Sequence, residues 1–345
     1  LLFLAIVVGG SLTLFAMRAP LIKSHSQFSM LSRETALLMN NIFLVVLAIG
    51  ILGGTLFPIF TVALDIGKYS VGFPFFNFIF VLFGTPLALL LGFGQLLRWK
   101  KDQAKNHLVK LIPLTISLLL ATGSVLLMSY FSFYALLGMT LAWWVLIMTV
   151  TSFMLRYKNQ SLSLASLKKT PPSYYGTHIA HTGVVIFCVG ITLTSNYSIK
   201  KDVLLNPGES YQMDNYTYTF NGARQITGPN YRGHEGDIVI TKNDMIVANM
   251  KPQNRIYHSQ QSPMTEAAID AGFTRDLFVA LGDQRGQNGA WTLRLYYKPF
   301  IRWIWLGAII MSLGGLVASF DRRYRQKNTR RQTAVEKDHL TGELT

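Results

Sequence analysis

Long apolar runs alternate with short polar connections along most of this chain. Each run is roughly 20 residues long, enough for a helix to cross a hydrocarbon core of about 30 Å. The pattern therefore predicts seven membrane-spanning helices. The first run opens the chain, and we interpret it as a span cut from a longer protein. The predicted spans are 1–17, 36–62, 75–97, 111–129, 131–155, 174–195 and 301–320.

Between the last two runs the pattern changes to the two-residue alternation of β-strands. "YTYTF" (216–220) and "WTLRLYY" (291–297) alternate, and "DIVITKNDMIVANM" (237–250) predicts a hairpin around Asn243-Asp244. "MTEAAIDAGFTRDLFVALG" (264–282) instead predicts a helix capped by Thr265. The predicted fold is an α-helical multi-spanning membrane protein with a small β-rich extracytoplasmic domain between its last two spans.

The distribution of basic residues predicts the orientation. The net charge is +15, and nineteen of the 32 Lys and Arg residues follow spans one, three, five and seven. Cytoplasmic connections are enriched in Lys and Arg, so the chain should start outside and end in the cytoplasm. The charge is thus an orientation signal and predicts no nucleic-acid partner. The predicted division is a six-span membrane domain (1–195), a periplasmic β-rich domain (196–299), a last transmembrane helix (300–320) and a basic cytoplasmic tail (321–345).

"GTHIAHTG" (176–183) places two histidines inside an apolar run. Polar residues at this depth usually mark function. For His181 three interpretations stay open on position alone: an axial haem ligand, an interhelical hydrogen bond, and a proton or substrate pathway. His178 is interpreted as an interface histidine, a group supporting a ligand, or a residue on an access path. The small surface of Gly176, Ala180 and Gly183 allows close approach by another helix or by a planar macrocycle.

Few other residues suggest chemistry. Cys188 is the one cysteine, so no disulfide within the chain is possible, and we interpret it as a small buried hydrophobe. The spans contain no carboxylate, which weakens a proton relay. Ser32 should cap the second span, with Asn40 and Asn41 lying one to two turns inside it. These amides either join helices or form a polar wall beside a cofactor or quinone.

A series of short motifs runs along the chain: "SRETALLMNN" (32–41), "GTLFP" (54–58), "HIAHTG" (178–183), "NYS" (196–198), "TGPNYRG" (227–233), "MTEAAIDAG" (264–272), "TRDL" (274–277), "ALG" (280–282) and "GAWTLRLYYKPFIRWIW" (289–305). Their order and spacing cover almost the whole chain. In these motifs the sequence resembles the C-terminal half of the CcmF family of the system I cytochrome c maturation machinery.

The resemblance implies a haem lyase of the bacterial inner membrane. Such a protein receives haem, its substrate, from a periplasmic haem chaperone and attaches it to apocytochrome c, working with other maturation subunits. The family also holds a haem b within the membrane, which is proposed to pass electrons from quinol to the incoming haem. A family ligand sits in an Ala-His-x-Gly setting, which falls here on Ala180, His181 and Gly183. The resemblance thus makes His181 one axial ligand of the haem iron, while no catalytic residue is assigned.

Several family features have no match in this chain. There is no tryptophan-rich external loop with flanking histidines, and no partner haem ligand on an earlier helix; the family pattern places these before residue 1. We therefore expect either a fragment or a function split over two polypeptides. Two other classes remain open: a histidine-lined transporter and a structural subunit of the maturation complex. Membrane lipid is an expected contact in every case.

Overall fold

The structure, a computed structural model, describes residues 2–18, 29, 32–97, 107–158, 164–259, 262–285 and 289–321. Eight helices and ten strands lie within these ranges. The helices are α1 (Leu2–Arg18), α2 (Arg33–Ala63), α3 (Phe73–Leu96), α4 (His107–Leu126), α5 (Phe133–Tyr157), α6 (Leu164–Lys169), α7 (Pro172–Tyr197) and α8 (Ile301–Ser319). The strands are β1 (Ile199–Leu205), β2 (Ser210–Met213), β3 (Tyr216–Thr227), β4 (Tyr231–Lys242), β5 (Met245–Met250), β6 (Gln253–Tyr257), β7 (Pro263–Glu266), β8 (Ala268–Ala271), β9 (Arg275–Gln284) and β10 (Trp291–Pro299).

Five of the predicted spans are helices long and apolar enough to cross a membrane: α2, α3, α5, α7 and α8. The predicted spans 1–17 and 111–129 correspond to shorter apolar stretches, Ala5–Arg18 and Ile112–Leu126. Their role as spans, and the orientation of the whole chain, stay predictions. The basic tail after Asp321 lies outside the described residues.

The chain divides into two compact units, Leu1–Val109 and Lys110–Thr345. In the first unit, α2 begins as its sequence predicts, because the Ser32 hydroxyl accepts a 3.2 Å hydrogen bond from the Thr35 backbone N–H. Glu34 in the first turn suits the positive end of the helix dipole. Asn40 is half-buried and Asn41 is exposed on α2, and their predicted roles stay predictions.

The second unit joins the remaining membrane helices to the β domain. At the end of α7 nearest the strands, buried side chains of α4, α5 and α7 form one apolar cluster, including Ala121, Met139 and Leu193. The Tyr197 hydroxyl donates to the Tyr130 carbonyl at 3.1 Å and closes this end. The cluster fixes the last turn of α7 immediately before β1 begins.

The β domain is a sandwich of two antiparallel sheets. One sheet has the order β1-β10-β9-β8, and the other has the order β2-β3-β4-β6-β7 with β5 paired to β4. Alternate residues of each strand point into the shared core, as the two-residue period requires. The fully buried members include Tyr218, Phe220, Ile238, Ile240, Leu277, Val279, Leu281, Leu293 and Leu295.

The predicted hairpin is confirmed and the predicted helix is wrong. Asn243 and Asp244 both adopt positive φ, 49° and 62°, as a tight β4–β5 turn requires. Residues 264–282 form β7, β8 and most of β9 instead of a helix. Gly272 lies in the β8–β9 turn, where its N–H donates to the Arg275 carbonyl at 2.9 Å. Pairing with β10 and burial of alternate β9 residues outweigh the local helix preference of the Ala-rich stretch.

Three contacts join the β8–β9 turn to the start of α8. The Phe300 N–H donates to the Thr274 carbonyl at 2.9 Å. The Arg302 Nε donates to the Asp276 carboxylate, also at 2.9 Å, and the Trp303 indole donates to the Phe273 carbonyl at 3.1 Å. These contacts hold the sandwich against the helix that follows it.

Candidate functional site

Both histidines of "GTHIAHTG" lie in the first half of α7. The helix starts cleanly because Pro171 is extended at the N-cap and Pro172 occupies the first turn, where a missing N–H costs nothing. His181 lies nine residues after Pro172, which is roughly 13 Å along the helix axis. The site is therefore inside the predicted membrane span.

The glycine face of α7 packs against α8. Gly176, Gly183 and Gly190 are spaced by seven residues and lie on one side of α7. An added Cβ at Gly183 would come within 2.6 Å of the Met311 backbone N, and one at Gly190 within 2.7 Å of the Ile304 backbone N. The small-residue surface is thus filled by a helix. A planar macrocycle on this face, one of the two sequence-based alternatives, is wrong for the described structure.

The histidines point away from the glycine face. At 100° per residue, His181 lies about 140° and His178 about 200° round the helix from Gly176. Helix α5 packs on that side, where a Cβ added at Gly138 would collide with Thr192 of α7. Helix α7 is therefore held between α5 and α8.

His178 is an interface histidine. Its Nδ1 lies 2.9 Å from the Tyr174 carbonyl oxygen; because a carbonyl only accepts, Nδ1 carries the proton. The imidazole ring lies 4.2 Å from the Tyr174 ring and 5.8 Å from the Phe153 ring of α5. Its Nε2 is buried and has no hydrogen-bond partner among the described residues. Packing against Phe153 thus fixes the ring, and the hydrogen bond to the Tyr174 carbonyl fixes its tautomer.

His181 lies one turn further along α7, at the edge of the face that α5 covers. Its ring is half-buried and its Nδ1 is shielded from solvent. Thr177, one turn earlier on the same side, is exposed. This leaves an open flank beside His181, between the faces that α5 and α8 occupy. An imidazole at such a flank would supply one ligand to a group that approaches α7 from that side. Cys188 lies two turns further along the helix and is half-buried.

The site does not contain the donors that a metal ion held by protein alone would need. Among the described residues, no group of three or more His, Cys, Asp or Glu side chains is placed to bind one metal ion. His178 and His181, three residues apart on one helix, therefore have no third protein ligand for a metal ion among the described residues. A metal that brings its own equatorial donors, as haem iron does, needs only axial ligands from the protein.

Comparison with known proteins identifies the family. The family described as "CcmF C-terminal beta-sandwich" matches residues 196–299. The cytochrome c-type biogenesis protein CcmF of Pseudomonas aeruginosa is 43% identical over 328 residues, which are 95% of this chain and 50% of that protein. CcmF of Escherichia coli is 40% identical over 97% of this chain and 51% of its own length. This chain belongs to the CcmF family.

The chain spans about half the length of the CcmF relatives it matches, and it corresponds to their C-terminal half. A solved structure titled "Cytochrome c Heme Lyase CcmF" superimposes with a TM-score of 0.67 at 22% identity, covering 85% of this chain and 46% of the other. That similarity shows a shared fold. The family membership and the fold agree with a membrane protein that carries a β domain.

Sequence reasoning missed several residues that position this site. Gly307 and Gly314 of α8, also seven residues apart, meet the glycines of α7. Phe153 packs on His178 from α5. The matching seven-residue glycine spacing of two apolar runs was the available signal for the first pair, whereas no sequence signal distinguishes Phe153 from the other phenylalanines of the chain.

Proposed function

We propose that this chain is the C-terminal part of a membrane haem lyase that attaches haem to apocytochrome c, and that His181 is one axial ligand of an intramembrane haem b. The observation that carries the proposal is the 43% identity to a CcmF protein across 95% of this chain. In the Ala180-His181-x-Gly183 pattern, which resembles the family's ligand setting, His181 lies on the half-buried flank of α7. No residue of this chain is proposed as catalytic.

The packing of α7 supports the ligand role by fixing the position of His181. Backbone-to-backbone contact with α8 leaves little freedom for α7 to slide or rotate. The opposite side is held by α5 through Phe153 and Gly138. A helix fixed on two sides holds the backbone of His181 in one place, which limits where its imidazole can bind a ligand.

His178 is proposed as a positioning residue next to the ligand. Its hydrogen bond to the Tyr174 carbonyl holds the ring against Phe153, so its Nδ1 is not available to a metal. Bound haem b would supply reversible one-electron chemistry, suited to keeping the incoming haem iron reduced. In this scheme His181 provides one axial bond and the second comes from outside this chain.

The remaining assignments follow from the same proposal. The sandwich at 196–299 faces the periplasm, the tail after Asp321 lies in the cytoplasm, and the protein sits in the bacterial inner membrane, as the basic connections predict. Proposed partners are apocytochrome c, a periplasmic haem chaperone, other maturation subunits and quinol. The contacts between the β8–β9 turn and α8 would couple docking on the sandwich to the membrane helices.

The test measures haem retention by two histidine variants. In it, this chain is expressed together with the half of the CcmF relatives that it does not match, either fused to it or as a separate polypeptide. We expect His181→Ala to lose the Soret absorption of the purified protein and to lower the haem content per protein. His258→Ala, which changes an exposed histidine of the sandwich, is the matched control and should retain the spectrum. An unchanged Soret band in His181→Ala would remove His181 from the ligand role.

The same variants separate the other two classes. A structural assembly subunit predicts that His181→Ala still supports cytochrome c maturation in cells. A histidine-lined transporter predicts substrate flux in proteoliposomes that contain no haem. Loss of haem together with loss of maturation, in a variant that is still inserted and folded, supports the lyase proposal over both.

A further inference from the structure

A groove lies at the ends of α7 and α8 furthest from the sandwich. Its volume is about 500 Å³, and it is lined by Leu167, Lys168, Thr170, Pro172, Tyr175 and Val317. Helix α7 begins and helix α8 ends at this level, so the groove lies where the two spans leave the hydrocarbon. Neither His178 nor His181 lines this groove.

The polar atoms on the groove floor are already bonded to one another. The Tyr157 hydroxyl lies 2.8 Å from the Thr170 hydroxyl and 3.2 Å from the Tyr175 hydroxyl. The Tyr175 hydroxyl donates to the Leu167 carbonyl at 2.8 Å. Tyr157 and Thr170 are buried, with 4% and 8% of their surface exposed. The floor therefore presents methyl, methylene and ring surface to an occupant and offers it no free hydroxyl partner.

The rim of the groove is basic. Lys168 lines it and the adjacent Lys169 is exposed, both in the last turn of α6. Neither lysine forms an ion pair with any residue that the structure describes. An apolar floor beneath two unpaired ammonium groups matches a molecule with a hydrocarbon tail and an anionic head.

We propose that this groove binds an anionic phospholipid. The phosphate lies against Lys168 and Lys169, and an acyl chain runs over Pro172, Tyr175 and Val317 towards the bilayer centre. Basic pockets between membrane helices recognise anionic head groups in this way. The groove is open and lies where α7 begins and α8 ends, the level predicted for the head groups, so a lipid would reach it by lateral diffusion. The proposal is independent of the haem assignment.

The experiment is native mass spectrometry of the full protein released from detergent, with added phosphatidylglycerol or with phosphatidylcholine of the same acyl chains. We expect the protein to retain phosphatidylglycerol preferentially. The K168Q/K169Q double variant should weaken that binding by about fivefold per lysine, on the order of 25-fold in all. V317W fills the groove without changing its charge and should reduce retention of both lipids.

The matched control is K200Q/K201Q, which removes two adjacent exposed lysines from β1 of the sandwich. It should leave lipid retention unchanged. Equal retention of the two lipids by the unmodified protein would overturn the proposal, as would an undiminished preference in K168Q/K169Q. Loss of the preference in K200Q/K201Q, or no effect of V317W, would place the lipid elsewhere. A protein chain cross-linked through position 317 in membranes, in place of lipid, would also contradict it.

Discussion

Replacing Gly183 by alanine adds one methyl group where the backbones of α7 and α8 touch. The new Cβ would lie 2.6 Å from the Met311 backbone N and 2.8 Å from the Gly307 carbonyl oxygen. Both neighbours are main-chain atoms and cannot rotate away. The substitution therefore tests whether close packing of these two helices supports the site.

The size of the effect follows from those distances. Non-bonded heavy atoms prefer separations of about 3.5–4.0 Å, so the helices must part by roughly 1 Å. A gap of that size forfeits a quarter to a half of the dispersion energy of neighbouring contacts, and overpacking of this kind costs about 1–3 kcal/mol. Alanine also gains about 1 kcal/mol over glycine in helix propensity. Gly315→Ala on α8 has the same propensity gain without the packing cost, because its Cβ would meet nothing within 4 Å.

The comparison of the two variants isolates the packing cost. Cys188, the one cysteine of this chain, lies half-buried on α7, so a thiol-reactive dye reports the opening of this helix during a thermal ramp. We expect Gly183→Ala to melt several degrees below Gly315→Ala, at about 2–4 °C per kcal/mol. Gly183→Ala should also retain less haem, because the α7 helix that carries His181 is no longer held in place. Equal melting temperatures for the two variants would refute the packing argument.

Two further predictions concern the sandwich. Hydrogen bonding from Arg224 holds the pKa of Glu235 below its usual value of about 4.5, so this contribution to stability is present above that pH and is lost as the pH falls below it. Glu235→Gln should therefore flatten the fall in melting temperature of the protein between pH 6 and pH 3. An unchanged pH profile would contradict this. The Tyr218 hydroxyl is buried without a hydrogen-bond partner among the described residues. Tyr218→Phe should therefore raise the free energy of unfolding by about 1 kcal/mol in a denaturant titration. A lower free energy of unfolding would show that the hydroxyl has a hydrogen-bond partner.

The predictable parts of the fold are those with a local signal. The hairpin at Asn243-Asp244 combines two alternating runs with residues that tolerate positive φ, and all of that lies within fourteen residues. The apolar runs of α2, α3, α5, α7 and α8 are equally local, because a membrane span needs only length and composition. The Ser32 cap depends on a residue three positions away.

The incorrect helix at 264–282 shows where local reasoning fails. Ala, Glu, Asp and Leu favour a helix there, but Leu277, Val279 and Leu281 alternate into the sandwich core. Their partner strand, β10, begins at Trp291, and the opposite sheet of the sandwich comes from residues 210–266. Burial against distant strands decides the structure of such a segment, and a local window does not contain those strands.

The glycine face of α7 was recognised from sequence, but its occupant was not. Gly176 and Gly183 indicate a close approach by something, and the nearest chain atoms belong to residues 307–318, more than 120 positions later. Neither spacing nor hydropathy states which apolar run packs where. The helix α8 and a macrocycle were therefore equivalent explanations until the packing was known.

The packing around α7 also restricts the source of the second ligand of the proposed haem. Side chains three residues apart on one helix point to nearly the same side. His178 and His181 would therefore not hold one haem from its two faces. Past the first turn of α4, the helices α4, α5, α6, α7 and α8 contain no histidine other than His178 and His181. If the opposing ligand is a histidine, it must reach the flank beside Thr177 from outside these helices, so a screen for the second ligand should begin with histidines in the other half of the family's length.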